Sequence, residues 1–127
     1  MRVLVTGVKG QLGYDVVRHL EARGIENRGV DIEDFDLTDE AAVRAYVREY
    51  RPTCIVHCAA YTAVDRAESE PEKCFAVNVT GTRNIALAAK DVDAEVLYVS
   101  TDYVFDGRSK ESPWEADDPK GPQNVYG

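Results

Sequence analysis

The chain has 127 residues, 44% hydrophobic and 30% charged, with a formal net charge of −8. That length suits one domain, and the acidity argues against non-specific nucleic-acid binding, which needs basic patches. No apolar run approaches the roughly 20 residues of a membrane span. Met1-Arg2-Val3 already reads as strand, so the expectation is a cytoplasmic protein without a signal peptide. Cys54, Cys58 and Cys74 read as buried free thiols. Their odd number argues against a disulfide framework, and the single nearby histidine, His57, is too little for a zinc site.

In chain order, Arg2–Thr6 predicts a short buried strand. Gln11–Arg23 predicts a helix with Leu12, Val16, Val17 and Leu20 on one stripe, and Gly24 stands where a helix stops. Asn27–Asp31 is a second strand. Thr38 is expected to cap a helix that carries Val43, Tyr46, Val47 and Tyr50 and ends before Pro52. Thr53–Cys58 is a third strand, apolar on both faces as a covered strand must be. Ser69-Glu70-Pro71-Glu72 reads as a capping box with proline in the first turn, starting a helix that reaches about Lys90. Glu95–Val99 is a fourth strand, and Asp102–Asn124 is loop, punctuated by Gly107, Pro113, Pro119, Gly121 and Pro122. Strands alternating with helices predict an α/β, Rossmann-like doubly wound parallel sheet with strand order 3-2-1-4, whose ligand edge lies at the C-terminal strand ends.

Three glycines follow the first strand: Gly7-Val8-Lys9-Gly10-Gln11-Leu12-Gly13. A strand, a glycine turn and a helix start form a phosphate cradle, because glycines let backbone N–H groups approach an anion at the positive end of the helix. The spacing G-x-x-G-x-x-G differs from the common G-x-G-x-x-G, with Lys9 at the position of its second glycine. Asp31 ends the second strand, where a carboxylate accepts both ribose hydroxyls of adenosine and repels a 2′-phosphate. This favours NAD over NADP, although Lys9 and Arg28 are placed to tolerate a phosphate. Asp36-Leu37 precedes the second helix; by spacing alone, helix-entry capping is the stronger explanation. Ser100-Thr101-Asp102-Tyr103 follows the fourth strand, either as a turn cap or as hydroxyl donors to a substrate carbonyl. Tyr126 can act as a general acid only if nearby positive charge lowers its pKa. Trp114 either packs on a base or covers the sheet edge. Asn78, within a helix, is expected to bond backbone near the site rather than carry a glycan.

Together these stretches resemble the extended short-chain dehydrogenase/reductase family, and within it the dTDP-4-dehydrorhamnose reductases. The resemblance rests on residues 5–13, Asp36-Leu37-Thr38-Asp39, Cys58–Asp65 with Ala67-Glu68, Asn78-Val79-Thr80-Gly81-Thr82, Ser100–Gly107 and Asn124-Val125-Tyr126-Gly127. It implies that Gly10, Gln11 and Leu12 line the pyrophosphate within a cofactor-binding turn that includes Gly7 and Gly13, and that Asp31 faces the adenosine ribose. It further implies that Asp36 and Leu37 meet adenine, against the capping explanation, and that Ala59, Ala60 and Tyr61 pass under the nicotinamide ribose. Thr101 and Tyr126 would polarise and protonate the substrate carbonyl, and Asp102 would help hold the sugar. The implied cofactor is NAD or NADP, with NADH slightly favoured, and the implied substrate is a dTDP-sugar. No metal is expected.

The family's lysine, four residues beyond the tyrosine, would fall at position 130, past Gly127. The expectation is therefore that 1–127 is the N-terminal part of an NAD(P)-binding domain, inactive alone, without its sugar-binding lobe. A homodimer through the helix at 71–90 is also implied. The alternatives are a non-catalytic NAD(P)-binding regulatory subunit, like that of methionine adenosyltransferase, and another nucleotide-sugar epimerase or dehydratase.

Overall fold

The computed structural model describes residues 1–108 and 112–127; residues 109–111, within the predicted loop, lie outside the described residues. Four parallel strands form the sheet: β1 (Arg2–Thr6), β2 (Glu26–Val30), β3 (Cys54–His57) and β4 (Glu95–Tyr98). Helix α1 (Gln11–Ala22) joins the first two strands, and α2 (Glu40–Tyr50) joins the next two. Between β3 and β4 come α3 (Val64–Ala67) and a long helix in three parts: α4 (Pro71–Phe75), a π-helical segment (Ala76–Gly81) and α5 (Thr82–Asp91).

The strand order is β2-β1-β3-β4. This corrects the expected 3-2-1-4, which stacked β3 outside β2. The chain reverses direction after β2, and β3 pairs instead with the free side of β1, Thr6 opposite His57. Right-handed crossovers that run in opposite directions put their helices on opposite faces. Accordingly Leu4, Val30 and Ile55 pack on one face with Val43, Val47 and Tyr50 of α2 and Ile85, Ala88 and Ala89 of α5. On the other face a Cβ at Gly29 would meet Val17 of α1. Arg44 and Arg48 both pair with Asp91 and lock α2 to α5.

The helix ends differ from expectation in two places. Asp39, not Thr38, caps α2, accepting from the Ala42 amide at 3.0 Å, while the Thr38 hydroxyl donates to Asp36. No capping box starts α4: Glu70 is the cap residue, and the Ser69 hydroxyl donates to the Arg66 carbonyl. The unpredicted α3 ends at Ala67 with Glu68 as its C-cap, so the serine closes that turn rather than opening the next. Gly24 stops α1 as expected, at φ 65°, its amide bonded to the Glu21 carbonyl and that of Ile25 to Leu20.

Candidate functional site

The reversal of direction leaves a crevice beyond the C-terminal ends of β1 and β3, the usual ligand position in open parallel sheets. Its volume is about 290 Å³, and it is lined by Gly7, Gly10, Asp31, Asp36, Leu37, Ala59 and Ala60 from the expected set. Thr6, Lys9, Val30, Ile32, Phe35, Cys58 and Val77 complete it. At its floor a Cβ on Gly7 would stand 2.7 Å from both Cα and N of Ala59, and Gly7 has φ 72°. Glycine there satisfies a left-handed backbone and lets the two strand ends close together. A Cβ on Gly13 would collide with the Gly7 carbonyl. The glycine turn thus has no room for side chains where it faces α1.

Helix α1 starts at Gln11 with no side-chain cap and no acidic residue in its first turn. Its first N–H groups therefore keep their capacity for an anion, and its length gives a full macrodipole. The chemistry of the cradle fits a pyrophosphate.

Asp31 Oδ2 accepts from the Lys9 amide at 2.9 Å, and Oδ1 from the Ile32 amide at 2.9 Å. The carboxylate thereby ties the glycine turn to the end of β2. The Lys9 ammonium is paired with Glu33, whose carboxyl it holds below the usual range. Asp36 Oδ1 accepts from both the amide and the hydroxyl of Thr38, each at 2.8 Å, which keeps its carboxyl low. Asp36 thus does helix-entry work and lines the crevice at once. Leu37 rests on Gly81, and its carbonyl accepts from Asn84 Nδ2 at 2.9 Å.

The loop after β3 is held from the long helix. Asn78 accepts from the Tyr61 amide at 2.8 Å and donates to its carbonyl at 3.0 Å. The Tyr61 ring turns away from the crevice; burial first, and then its bond to Glu70 at 2.8 Å, raise its pKa. Thr101 caps a 3-10 turn at Asp102–Val104, accepting from the Tyr103 amide at 3.3 Å. Tyr126 reaches the same turn: its ring meets Tyr103 edge-on at 5.6 Å, and Gly121 donates to the Val104 carbonyl. Thr101, Asp102 and Tyr126 are gathered beyond β4, outside the lining of the crevice. Trp114 stacks on Phe105 at 4.7 Å. Cys54, Cys58 and Cys74 are free, the first two half-buried. No metal-ligating cluster occurs among the described residues.

The family profile described as the RmlD substrate binding domain matches residues 1–127. The chain belongs to that family. Among curated relatives, the dTDP-4-dehydrorhamnose reductase of Streptomyces griseus is 48% identical over 126 residues, covering 99% of this chain and 41% of the relative. The crystal structure of a dTDP-4-dehydrorhamnose reductase from Clostridium acetobutylicum superposes with a TM-score of 0.95 at 39% identity, covering 99% of this chain and 45% of that one. The Bacillus anthracis dTDP-4-dehydrorhamnose reductase, solved in complex with NADP, gives a TM-score of 0.93 at 38% identity, covering 98% and 44%. The chain spans less than half the length of these RmlD relatives.

Several residues that build this RmlD-family crevice were not singled out as site residues in the sequence. Thr6, His57 and Asn84 are each 2% exposed or less, and every buried side-chain polar atom among the described residues has a partner. Their sequence signal is a polar residue inside an otherwise apolar strand or helix stripe, joined for Thr6 and His57 by their place at a strand's C-terminal end.

Proposed function

We propose that residues 1–127 are the dinucleotide-binding part of an NAD(P)H-dependent dTDP-4-dehydrorhamnose reductase, completed by a sugar-binding lobe beyond them. The observation that carries this is the crevice beyond the C-terminal ends of β1 and β3, with an uncapped helix start on one side and Asp31 and Leu37 on the other. The identity to named reductases across the whole chain supports the substrate. In this reading Gly10, Gln11, Leu12 and Gly13 hold the pyrophosphate, Asp31 the adenosine ribose, and Asp36 and Leu37 the adenine. Ala59, Ala60 and the Tyr61 backbone support the nicotinamide ribose.

When bound, the reduced nicotinamide supplies a hydride. The Thr101 hydroxyl donates to the carbonyl oxygen of the sugar, Tyr126 gives that oxygen its proton, and Asp102 holds a sugar hydroxyl. Thr101 caps the short turn whose Tyr103 ring meets Tyr126 edge-on, which supports work by both on one substrate. The test is nicotinamide oxidation by the full-length protein with the dTDP-4-dehydro-sugar. Oxidation should collapse in Tyr126→Phe with dinucleotide binding intact, and no sugar-dependent oxidation in the wild type overturns the reading.

NADH is the preferred dinucleotide in this reading, because Asp31 repels a 2′-phosphate and Glu33 already engages Lys9. The NADP-bound relative means that a phosphate fits that protein's site. NADH should bind about 3- to 30-fold tighter than NADPH, a gap of roughly 0.7–2 kcal/mol, and Asp31→Ala should narrow it. Equal or tighter NADPH binding by fluorescence titration rules this out. Exposed Phe75 and Val79 support pairing of two copies through α4 and the π segment, which sedimentation of the full-length protein tests. The reading places the protein in the cytoplasm, consistent with its free thiols.

A further inference from the structure

We propose that His57 is a positioning residue: buried between β1, β3 and α5, its imidazole orients the Thr6 hydroxyl that holds the Ala59 amide, and so fixes the wall of the dinucleotide crevice. The inference rests on the dinucleotide reading above. His57 is 1% exposed and Thr6 2%. Thr6 Oγ1 accepts from the Ala59 amide at 3.2 Å and lies 2.7 Å from His57 Nδ1. On the far side of the ring, Nε2 lies 3.2 Å from Thr82 Oγ1 on α5.

These contacts set the tautomer. A threonine oxygen that accepts from an amide still has one hydrogen to donate, and the neighbour in reach is Nδ1. Nδ1 is therefore the acceptor, and Nε2 carries the ring hydrogen toward Thr82. The bonds run in one direction, from the Ala59 amide through Thr6 and His57 to Thr82. A proton on Nδ1 would reverse the Thr6 hydroxyl. Burial works against that, holding the imidazole at about 4. Tyr98 of β4 is the titratable ring packed on it, with centroids 6.1 Å apart.

The position of Ala59 matters because it is the crevice floor's closest approach, 2.7 Å from a Cβ built on Gly7. An apolar side chain in place of His57 would fill the space without choosing the direction of the Thr6 hydroxyl. The imidazole is thus a device for register between two strand ends, at the point where the ligand enters.

The test uses the full-length protein with His57→Leu, His57→Asn, Thr6→Val and the double variant His57→Leu/Thr6→Val. Asparagine places an acceptor near the Nδ1 position and should rescue the Thr6 bond. His57→Leu and Thr6→Val should each raise the Kd for NADH about 5- to 30-fold. Both should speed exchange of the Ala59 amide about tenfold or more without ligand. His57→Asn should stay within about threefold of wild type, and the double variant should be no weaker than either single one. If His57→Leu fails to fold, the near-isosteric Thr6→Val and His57→Asn decide. Unchanged Kd and exchange in Thr6→Val, loss in His57→Asn equal to that in Thr6→Val, or additive losses overturn the proposal. Should the wild type bind no dinucleotide, the functional reading fails, and Ala59 exchange still decides this one.

Discussion

At the scale of single residues, His57 couples the fold to pH. Its pKa falls from 6.5 to about 4 because burial disfavours the charged ring. Between those values the unfolded chain binds a proton that the folded one refuses. The stabilisation is therefore complete above about pH 6.5 and is lost as pH falls toward 4, by roughly 3 kcal/mol. Asp36, Glu70 and Asp91, all held low, pull in the same direction. The difference between wild type and His57→Asn in chemical denaturation at pH 7 and at about pH 4.5 isolates the histidine, and equal slopes for the two proteins exclude it. Gly7 gives a second residue-scale expectation. Alanine there must adopt φ 72° and push against the Ala59 backbone. It should cost about 2 kcal/mol or more in thermal unfolding and weaken dinucleotide binding. Gly7 was legible in the sequence because glycine spacing after a strand has a physical cause. The Thr6–His57–Thr82 chain was not, because its members are 51 and 25 residues apart.

At the scale of elements, the long helix 71–91 does more than cover the sheet. Its π segment carries Asn78, which pins both backbone groups of Tyr61, and α5 carries Asn84, which pins the Leu37 carbonyl. One helix thereby holds both walls of the crevice, and π turns recur at functional sites for this kind of re-aiming. Asn84→Ala would leave the Leu37 carbonyl unsatisfied beside a buried position. It should cost about 1–3 kcal/mol and weaken NADH binding more than it lowers kcat, read from denaturation and steady-state kinetics. Unchanged stability and KM would show that the Leu37 loop holds itself. The helix was legible from Pro71 onward, since apolar periodicity and a proline at the start are local signals. Its π segment was not, because no local signal in Ala76–Gly81 marks a change of helical hydrogen-bonding period. The caps fall one residue beyond Ser69 and Thr38, because both hydroxyls are taken by the turn before the helix, Ser69 by the Arg66 carbonyl and Thr38 by Asp36, which local sequence does not mark.

At the scale of the whole molecule, the class of fold and its ligand edge followed from alternation, whereas the strand order did not. Sequential pairing is the default for consecutive strands, and nothing local marks the place where a chain reverses across a sheet. That reversal created the crevice. It also left β4 at an edge, paired among the described residues with β3 alone. Val96, Leu97 and Tyr98 are 38%, 53% and 50% exposed, an apolar strand open along one side. Edge strands of this kind associate unless charged or covered. The RmlD relatives are more than twice as long as this chain, and in the reductase reading proposed above the rest of the protein covers β4. Residues 1–127 expressed alone should therefore self-associate in sedimentation, and Leu97→Lys should disperse them. In the full-length protein the same lysine would enter a covered face and should lower the unfolding free energy by about 2 kcal/mol or more. The two arms move in opposite directions, which separates an edge that is buried in the whole protein from one that is simply exposed. A monomeric 1–127, together with a full-length Leu97→Lys protein as stable as wild type, would mean that β4 is a free edge in both.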